Sequence, residues 1–201
     1  MSAARKLSYG LFIVTVNDGA RHGGCICNTV VQLTTSPNRV SLTLNKANYT
    51  TEVLQKTKKC NVSILSEAAD FELFKRFGFC SGRDTDKFAG LGGCFETGNY
   101  CKVVTVGCNS FMCLRVVQEI DLGSHIHFIA EVMAEGDTSE VPSATYAYYH
   151  ANIKPKPAAR AADKTLWRCT VCGYEYEGEE LPADFTCPIC RQGADAFRKE
   201  A

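Results

Sequence analysis

Residues Gly24-Cys25-Ile26-Cys27-Asn28-Thr29-Val30-Val31-Gln32-Leu33-Thr34 are followed, after Thr35-Ser36-Pro37-Asn38, by Arg39-Val40-Ser41-Leu42-Thr43-Leu44. Both runs are dense in Val, Ile, Leu and Thr, side chains that suit a pleated, half-buried surface, and the Ser-Pro-Asn between them is turn chemistry. They read as two successive antiparallel strands, Gly24 to Thr34 and Arg39 to Leu44. Ser8 to Val16 is a third run of this kind, and the Asn17-Asp18-Gly19 that follows reads as a hairpin turn.

Further along, Thr50-Thr51-Glu52 offers a capping residue ahead of Val53-Leu54 and predicts a short helix ending near Lys58, after which Asn61 to Leu65 resumes as a strand. From Asp70 to Gly78 the apolar residues fall on one helical face and the glycine supplies a stop, so the phenylalanines there read as core. Residues 79 to 99 are rich in glycine and turn formers and predict a long functional loop. Tyr100 to Cys108, Met112 to Glu119 and His125 to Glu135 are three more strands. Six or seven strands with few helices imply a mainly β domain, a closed or nearly closed antiparallel barrel ending at Ala147-Tyr148-Tyr149-His150. The expected division is a barrel domain over 1–153, a Pro/Ala/Lys linker over 154–164 and a small domain over 165–201.

A chain of 201 residues with 45% apolar content suits one full domain plus one small appendage. The apolar start Leu11 to Val16 is too short to span a membrane and runs into a turn, so no membrane role is expected and the cytoplasm is the expected compartment. Formal charge sums to zero and no basic patch with interleaved aromatics occurs, which argues against nucleic acid. A GxGxxG after a strand, a P-loop and an HExxH are all absent, so a Rossmann route to a dinucleotide is unsupported. Eight of the twelve cysteines lie irregularly among strand residues of the larger domain and read as buried reduced thiols. His22 reads as a solvated side chain.

The other four cysteines are different. Cys169-Thr170-Val171-Cys172 and Cys187-Pro188-Ile189-Cys190 are two CxxC hooks separated by fourteen residues. Such hooks can direct four thiolates at one centre, the ligand set of a tetrahedral S4 site. Iron and zinc both accept that set. The flanking Gly173-Tyr174-Glu175-Tyr176, Leu181-Pro182-Ala183-Asp184-Phe185 and closing Phe197 resemble a rubredoxin of the short type, which implies one iron, with structural zinc the alternative. Trp167, Tyr174, Tyr176, Phe185 and Phe197 can pack a small aromatic core around the metal, and Gly173 permits the positive φ that turns backbone N–H groups toward sulfur. Arg191 stands where rubredoxins usually place a second glycine.

Residues 5 to 153 resemble the flavin-reductase-like (flavoredoxin) family of FMN-binding split β-barrels. The resemblance rests on Asn28-Thr29, the Pro37 turn, Asn45-Lys46-Ala47-Asn48-Tyr49-Thr50, Ser81-Gly82-Arg83-Asp84-Thr85-Asp86-Lys87-Phe88 and Thr145-Tyr146-Ala147-Tyr148-Tyr149-His150. With the tail, the arrangement is similar to that of high-molecular-weight rubredoxins. It implies FMN held by Asn28, Thr29, Val30, Gln32, Thr34, Thr43, Asn45, Lys46, Asn48, Thr50, Ser81, Gly82, Arg83 and Lys87, and a homodimer. The phosphate dianion asks for hydroxyls, free N–H groups and a cation at one end, which Thr50, Ser81, Gly82 and Arg83 or Lys46 can supply. The ring edge asks for donors and acceptors, for which Asn28, Thr29 and Gln32 are candidates; His125, His127 and His150 can also lie close. No catalytic side chain is assigned, because the cofactors carry the chemistry.

The implied function is electron transfer: NADH or NADPH reduces FMN, and single electrons leave through an Fe(Cys)4 centre. The implied acceptor is a flavodiiron protein that detoxifies oxygen or nitric oxide, approached through the acidic face of Glu175, Glu177, Glu179, Glu180 and Asp184. Two alternatives stay open at this point. One is a flavin reductase supplying diffusible reduced FMN to a monooxygenase, with a zinc-bound tail for docking. The other is a carrier reduced by a separate reductase.

Overall fold

The computed structural model describes residues 3–155, 165–171, 173–188 and 192–200. The chain divides into two compact units, Met1–Lys154 and Pro155–Ala201. In the first, strands β1 (Phe12–Asn17) and β2 (His22–Cys27) form a hairpin, and β3 (Val30–Thr35) and β4 (Asn38–Asn45) form a second. Helix α1 (Tyr49–Thr57) leads to β5 (Lys59–Leu65), and α2 (Phe71–Gly78) leads through a long connection to the short strands β6 (Cys94–Glu96) and β7 (Lys102–Val104). The long strands β8 (Cys108–Asp121) and β9 (His125–Asp137) follow, then a helical turn, α3 (Tyr146–Tyr148), continuing as a π-helical segment, Tyr149–Ile153.

Seven strands make one antiparallel sheet in the order β2-β1-β5-β8-β9-β4-β3. The sheet curls until its ends meet: Thr29, just past β2, donates its hydroxyl to the carbonyl of Thr43 on β4 at 2.8 Å. The single strand expected over Gly24 to Thr34 is therefore two. At Asn28–Thr29 the chain stops pairing with β1 and begins pairing with β4, a corner that strand propensity alone cannot reveal.

Alternation along each strand sends one set of side chains into the barrel and the other outward. Phe12, Val14 and Val16 meet Leu42, Leu44, Val62, Leu114 and Phe128 inside. Leu11 and Ile13 face outward, where Leu73, Phe74 and Phe77 of α2 cover them. Each such aliphatic side chain contributes about 1.5–3 kcal/mol by leaving water. Helix α2 starts where Asp70 accepts a hydrogen bond from the Leu73 amide at 2.9 Å. Gly78 is the last helical residue rather than the stop, and Phe79 takes the C-cap. The cap of α1 is Asn48, not Thr50; Thr50 is buried in the first turn, and the helix closes at Lys58 with φ 59°.

The β6–β7 hairpin occupies part of the region expected as loop, and the strand expected over Tyr100 to Cys108 shortens to Lys102–Val104. Polar side chains of the barrel hold this hairpin down. Ser63 accepts from the Val104 amide at 3.0 Å, and buried Asn61 donates to the Cys101 carbonyl at 2.9 Å and to Thr97 at 2.8 Å. The hydrogen bonds that an isolated hairpin would make to water are made to the barrel instead.

The second unit has a three-stranded sheet in the order β11-β10-β12, from β10 (Leu166–Cys169), β11 (Glu175–Glu177) and β12 (Phe197–Glu200). Cys169, Cys187 and Phe197 are its buried centre, with Trp167, Tyr174, Tyr176, Leu181 and Phe185 packed against them. Of the expected linker, only Lys154 and Pro155 lie within the described residues. Among the described residues no helix is long and apolar enough to cross a membrane.

Candidate functional site

The polar cluster of the barrel gathers at the N-terminus of α1. Asn45, closing β4, accepts through its side chain from the Ala47 amide and through its carbonyl from the Thr51 hydroxyl, at 2.9 and 2.7 Å. That pair turns the chain from strand into helix and presents Asn48, Tyr49 and Thr50 as the first turn. The Asn48 side chain makes no capping bond, leaving the helix start open to an anionic group. Beside it, Arg83 pairs with Glu52 at 2.7 Å and lies over the Tyr49 ring at 5.5 Å. Gly82 packs so close that an added Cβ would stand 3.1 Å from Tyr49 Cδ1. Ser81 accepts from the Arg83 amide, and Arg21 donates to the carbonyls of Gly82 and Arg83, anchoring this loop to the β1–β2 turn.

Beneath the helix lie Cys25 and Lys87. Lys87 is only 3% exposed, and its ammonium donates to the carbonyls of Gly24 at 2.8 Å and Phe77 at 3.0 Å. Burial holds its pKa below the usual lysine value. Burial, with Cys27 beside it, pushes the Cys25 thiol up to about 12, against the opposing pull of Lys87, Thr50 and Asn48. On the adjoining strands, Thr43 Oγ1 meets His127 Nδ1 at 2.8 Å, and Cys27 meets Thr29 at 3.3 Å.

The structure thus brings together Thr29, Thr43, Asn45, Asn48, Thr50, Ser81, Gly82, Arg83 and Lys87. It keeps others apart. Gln32 bonds Asn38 at 3.1 Å and Thr34 bonds the Pro37 carbonyl at 2.5 Å, both exposed on the β3–β4 hairpin. Lys46 turns away from the helix to Asp121 at the β8–β9 tip, 2.6 Å distant. Val30 packs on the barrel core, and Asn28 is half-buried at the β2–β3 corner. Cys25, Tyr49 and Asp18 belong to the cluster although sequence reading did not single them out; the Tyr49 hydroxyl donates to Asp18 at 2.6 Å. Their signal is positional, since each lies within three residues of an expected strand end or cap. His22 is half-buried against the Phe88 ring, 5.7 Å between centroids, rather than solvated, and burial lowers its pKa.

In the small unit, each hook closes on a backbone bond. The Cys169 amide donates to the Tyr174 carbonyl at 2.8 Å, the Gly173 amide returns to the Cys169 carbonyl at 2.9 Å, and the Cys187 amide reaches the Gln192 carbonyl at 2.8 Å. Gly173 has φ +76°, the left-handed conformation such a tight loop needs. Cys169 and Cys187 are 1% and 0% exposed, buried at the centre of an aromatic shell in which Phe185 meets Phe197 edge-on at 5.3 Å. Two buried sulfurs in closed turns suit a thiophilic metal. Cys172, Cys190 and Arg191 lie outside the described residues, and among the described residues no group of three metal-binding side chains occurs. On the acidic surface, Glu177, Glu179, Glu180 and Asp184 are exposed, whereas Glu175 is drawn into an ion pair with Arg168 at 2.6 Å.

A curled antiparallel sheet with a polar cluster at one helix start, joined to a small cysteine-hook domain, defines a flavin-reductase type barrel with a rubredoxin-like appendage. The chain belongs to the flavin reductase-like domain family, which matches residues 4–157, and residues 167–198 match the rubrerythrin, rubredoxin-like domain. It is 34% identical to a high molecular weight rubredoxin of Moorella thermoacetica over 98% of both chains. It is 34% identical to a ferric-chelate reductase (NAD(P)H) of Archaeoglobus fulgidus, over 78% of this chain and 92% of that one. Among solved structures, an FMN-binding protein from Thermus thermophilus superposes with a TM-score of 0.63 at 18% identity, over 90% of this chain and 93% of its own.

Proposed function

We propose that this protein is an oxidoreductase that takes electrons from NADH or NADPH at FMN held in the barrel and releases them singly through iron held by Cys169, Cys172, Cys187 and Cys190. The observation that carries the reading is the joining, in one chain, of the α1 polar cluster to a pair of cysteine hooks with two buried sulfurs. Bound FMN would supply two-electron acceptance and one-electron release, and iron one-electron exchange.

The residues have separable tasks. The open first turn of α1, with Thr50, Ser81 and the Gly82 amide, would hold the phosphate of FMN, with the Arg83 guanidinium, now paired to Glu52, as the cation beside it. Thr29, Thr43 and His127, already joined by hydrogen bonds, would supply donors and acceptors to the ring edge, with Asn28 at the neighbouring corner. Lys87 places a buried positive charge under the site and ties β2 to α2, favouring anionic character in whatever sits above. Cys25 and Cys27 stay protonated there and act as packing. The small unit keeps water from the sulfurs with its aromatic shell, and Gly173, in the left-handed conformation, closes the first hook on the Cys169 carbonyl.

In this reading the protein is cytoplasmic and homodimeric. It delivers electrons to a flavodiiron protein that reduces oxygen or nitric oxide, met through Glu177, Glu179, Glu180 and Asp184. The relative named as a ferric-chelate reductase (NAD(P)H) supports nicotinamide oxidation as the shared part of the activity.

The test is anaerobic purification of the full chain followed by titration with NADH and NADPH. Co-eluting flavin and iron, with the flavin and iron absorption bands bleaching together, are expected. A colourless zinc protein would favour the diffusible-flavin alternative. Retained cofactors that neither nucleotide bleaches would leave only the carrier reading.

A further inference from the structure

Of the cations that the sequence offers to an anion at the start of α1, two are committed elsewhere. Lys46 pairs with Asp121, and Lys87 is sealed under β2 with its ammonium on the Gly24 and Phe77 carbonyls. Arg83 is placed differently. Its backbone is fixed, because its amide donates to Ser81 Oγ at 3.2 Å and its carbonyl accepts from Arg21 at 2.6 Å. Its guanidinium lies over the Tyr49 ring and reaches Glu52, where Nη1 donates to Oε2 at 2.7 Å. Tyr49 is fixed in turn. Its hydroxyl donates to Asp18 at 2.6 Å, and its ring lies so close to Gly23 and Gly82 that a Cβ added at either would stand 3.3 or 3.1 Å from Cδ1. The freedom left at this corner is therefore in the side-chain torsions of Arg83.

The partner Arg83 finds is a carboxylate in the first turn of α1, the place to which an anionic ligand would also be drawn. Each oxygen of Glu52 takes one cation: Oε1 accepts from Lys56 at 2.7 Å, one turn on, and Oε2 from Arg83. Lys56 first and Arg83 second hold this carboxyl below the usual carboxylate range, so it is ionised at neutral pH. With no ligand bound, Glu52 answers both the guanidinium and the positive end of the helix. An oxyanion arriving there meets it as a like charge and has to share the donors of Arg83 with it. Both side chains are 38% exposed, so the pair is of the weak, solvent-screened kind that a dianion is able to loosen.

We infer that Glu52 is a built-in competitor for Arg83: it lowers the affinity of the α1 cluster for the phosphate end of the flavin and leaves the ring end untouched. The inference rests on the proposed function, which puts the FMN phosphate at α1, and it names the residue that sets how strongly that phosphate is preferred. Its consequence is that FMN exchanges faster, and is favoured over a flavin without phosphate by less, than the cations of the site alone would allow.

The test is a fluorescence titration of the full, metal-loaded chain, freed of flavin, with FMN and with riboflavin, which shares the ring and lacks the phosphate. Glu52→Gln keeps the shape of the side chain and an acceptor for Arg83 but drops the charge. It should tighten FMN about threefold to fivefold, the scale of an exposed ion pair, and leave riboflavin unchanged. The gain should shrink between about 0.01 M and 1 M salt, over which the screening length falls from about 30 to 3 Å. It should vanish in an Arg83→Gln background, where there is no guanidinium left to compete for. An unchanged or weaker FMN affinity in Glu52→Gln, an equal shift for riboflavin, or a gain that survives Arg83→Gln overturns the inference. A wild type that binds neither flavin sinks the proposed function instead. Inorganic phosphate then replaces FMN, followed by the amide resonances of Thr50 and Gly82. Tighter phosphate binding by Glu52→Gln than by wild type keeps the role of Glu52, and equal binding, or none by either, overturns it.

Discussion

The barrel and the small unit use the same residue, cysteine, to opposite ends. In the barrel, Cys25, Cys60, Cys101 and Cys108 are buried among strands, and burial pushes Cys25 and Cys108 up to about 12 and Cys101 up to about 11. These thiols stay protonated and fill space as small apolar groups. In the small unit Cys169 and Cys187 are equally buried, but they sit in closed turns at the centre of a domain with little else inside. Burial alone therefore does not decide what a cysteine does; the local loop and the size of the surrounding core do. A barrel with dozens of buried apolar side chains folds by taking them out of water. A unit of this size falls below the range where a core alone suffices and needs a cross-link.

The sharpest way to break that contrast is Cys187→Ser. It should abolish the metal absorption band and unfold the small unit, since structural metal binding in small domains of this kind is worth about 10 kcal/mol or more. The barrel's melting transition and flavin content should not move; a barrel that unfolds with it would mean the two units are not independent. Phe128→Ala, at a fully buried position in the barrel, should do the reverse. A loss of about 3–5 kcal/mol in barrel stability is expected with the metal spectrum intact, read by denaturant titration at two wavelengths.

Alkaline pH separates the two kinds of thiol without mutation. Folded-state pKa values of about 12, 12 and 11 for Cys25, Cys108 and Cys101 exceed the value of an unfolded thiol, so the unfolded chain releases protons first. Their contribution to stability is complete below about pH 9 and is lost as pH rises toward the folded values, roughly 1 kcal/mol per thiol by pH 10. Barrel stability should fall over that window and be partly restored in Cys108→Ala; a flat profile would mean these thiols are not sealed from water. The smallest effect is Asp70→Ala, which removes the cap of α2 and should cost the barrel about 1 kcal/mol, with no change in the small unit's spectrum.

Much of this architecture was legible before any coordinates. The Asn17-Asp18-Gly19 turn, the strands flanking it and the aromatic shell of the small unit follow from side-chain alternation, turn chemistry and spacing, which act over a few residues. The expected cofactor residues were only partly placed by that means. Gln32 and Thr34 looked equivalent to Thr29, yet the chain changes partner at Asn28–Thr29 and carries them to an exposed hairpin. Lys46 looked equivalent to Lys87, yet one lies on the surface with Asp121 and the other is sealed under β2.

The sequence by itself determined the two-unit plan, the family and the four candidate metal sulfurs, because periodicity and ligand spacing are local and covalent. Only the tertiary structure decided that Arg83 meets Tyr49, that Cys25 sits under Thr50, and that Thr43 meets His127. Those meetings join residues about twenty-five to eighty positions apart, and they come about when the sheet curls and closes rather than from anything a neighbouring residue could encode.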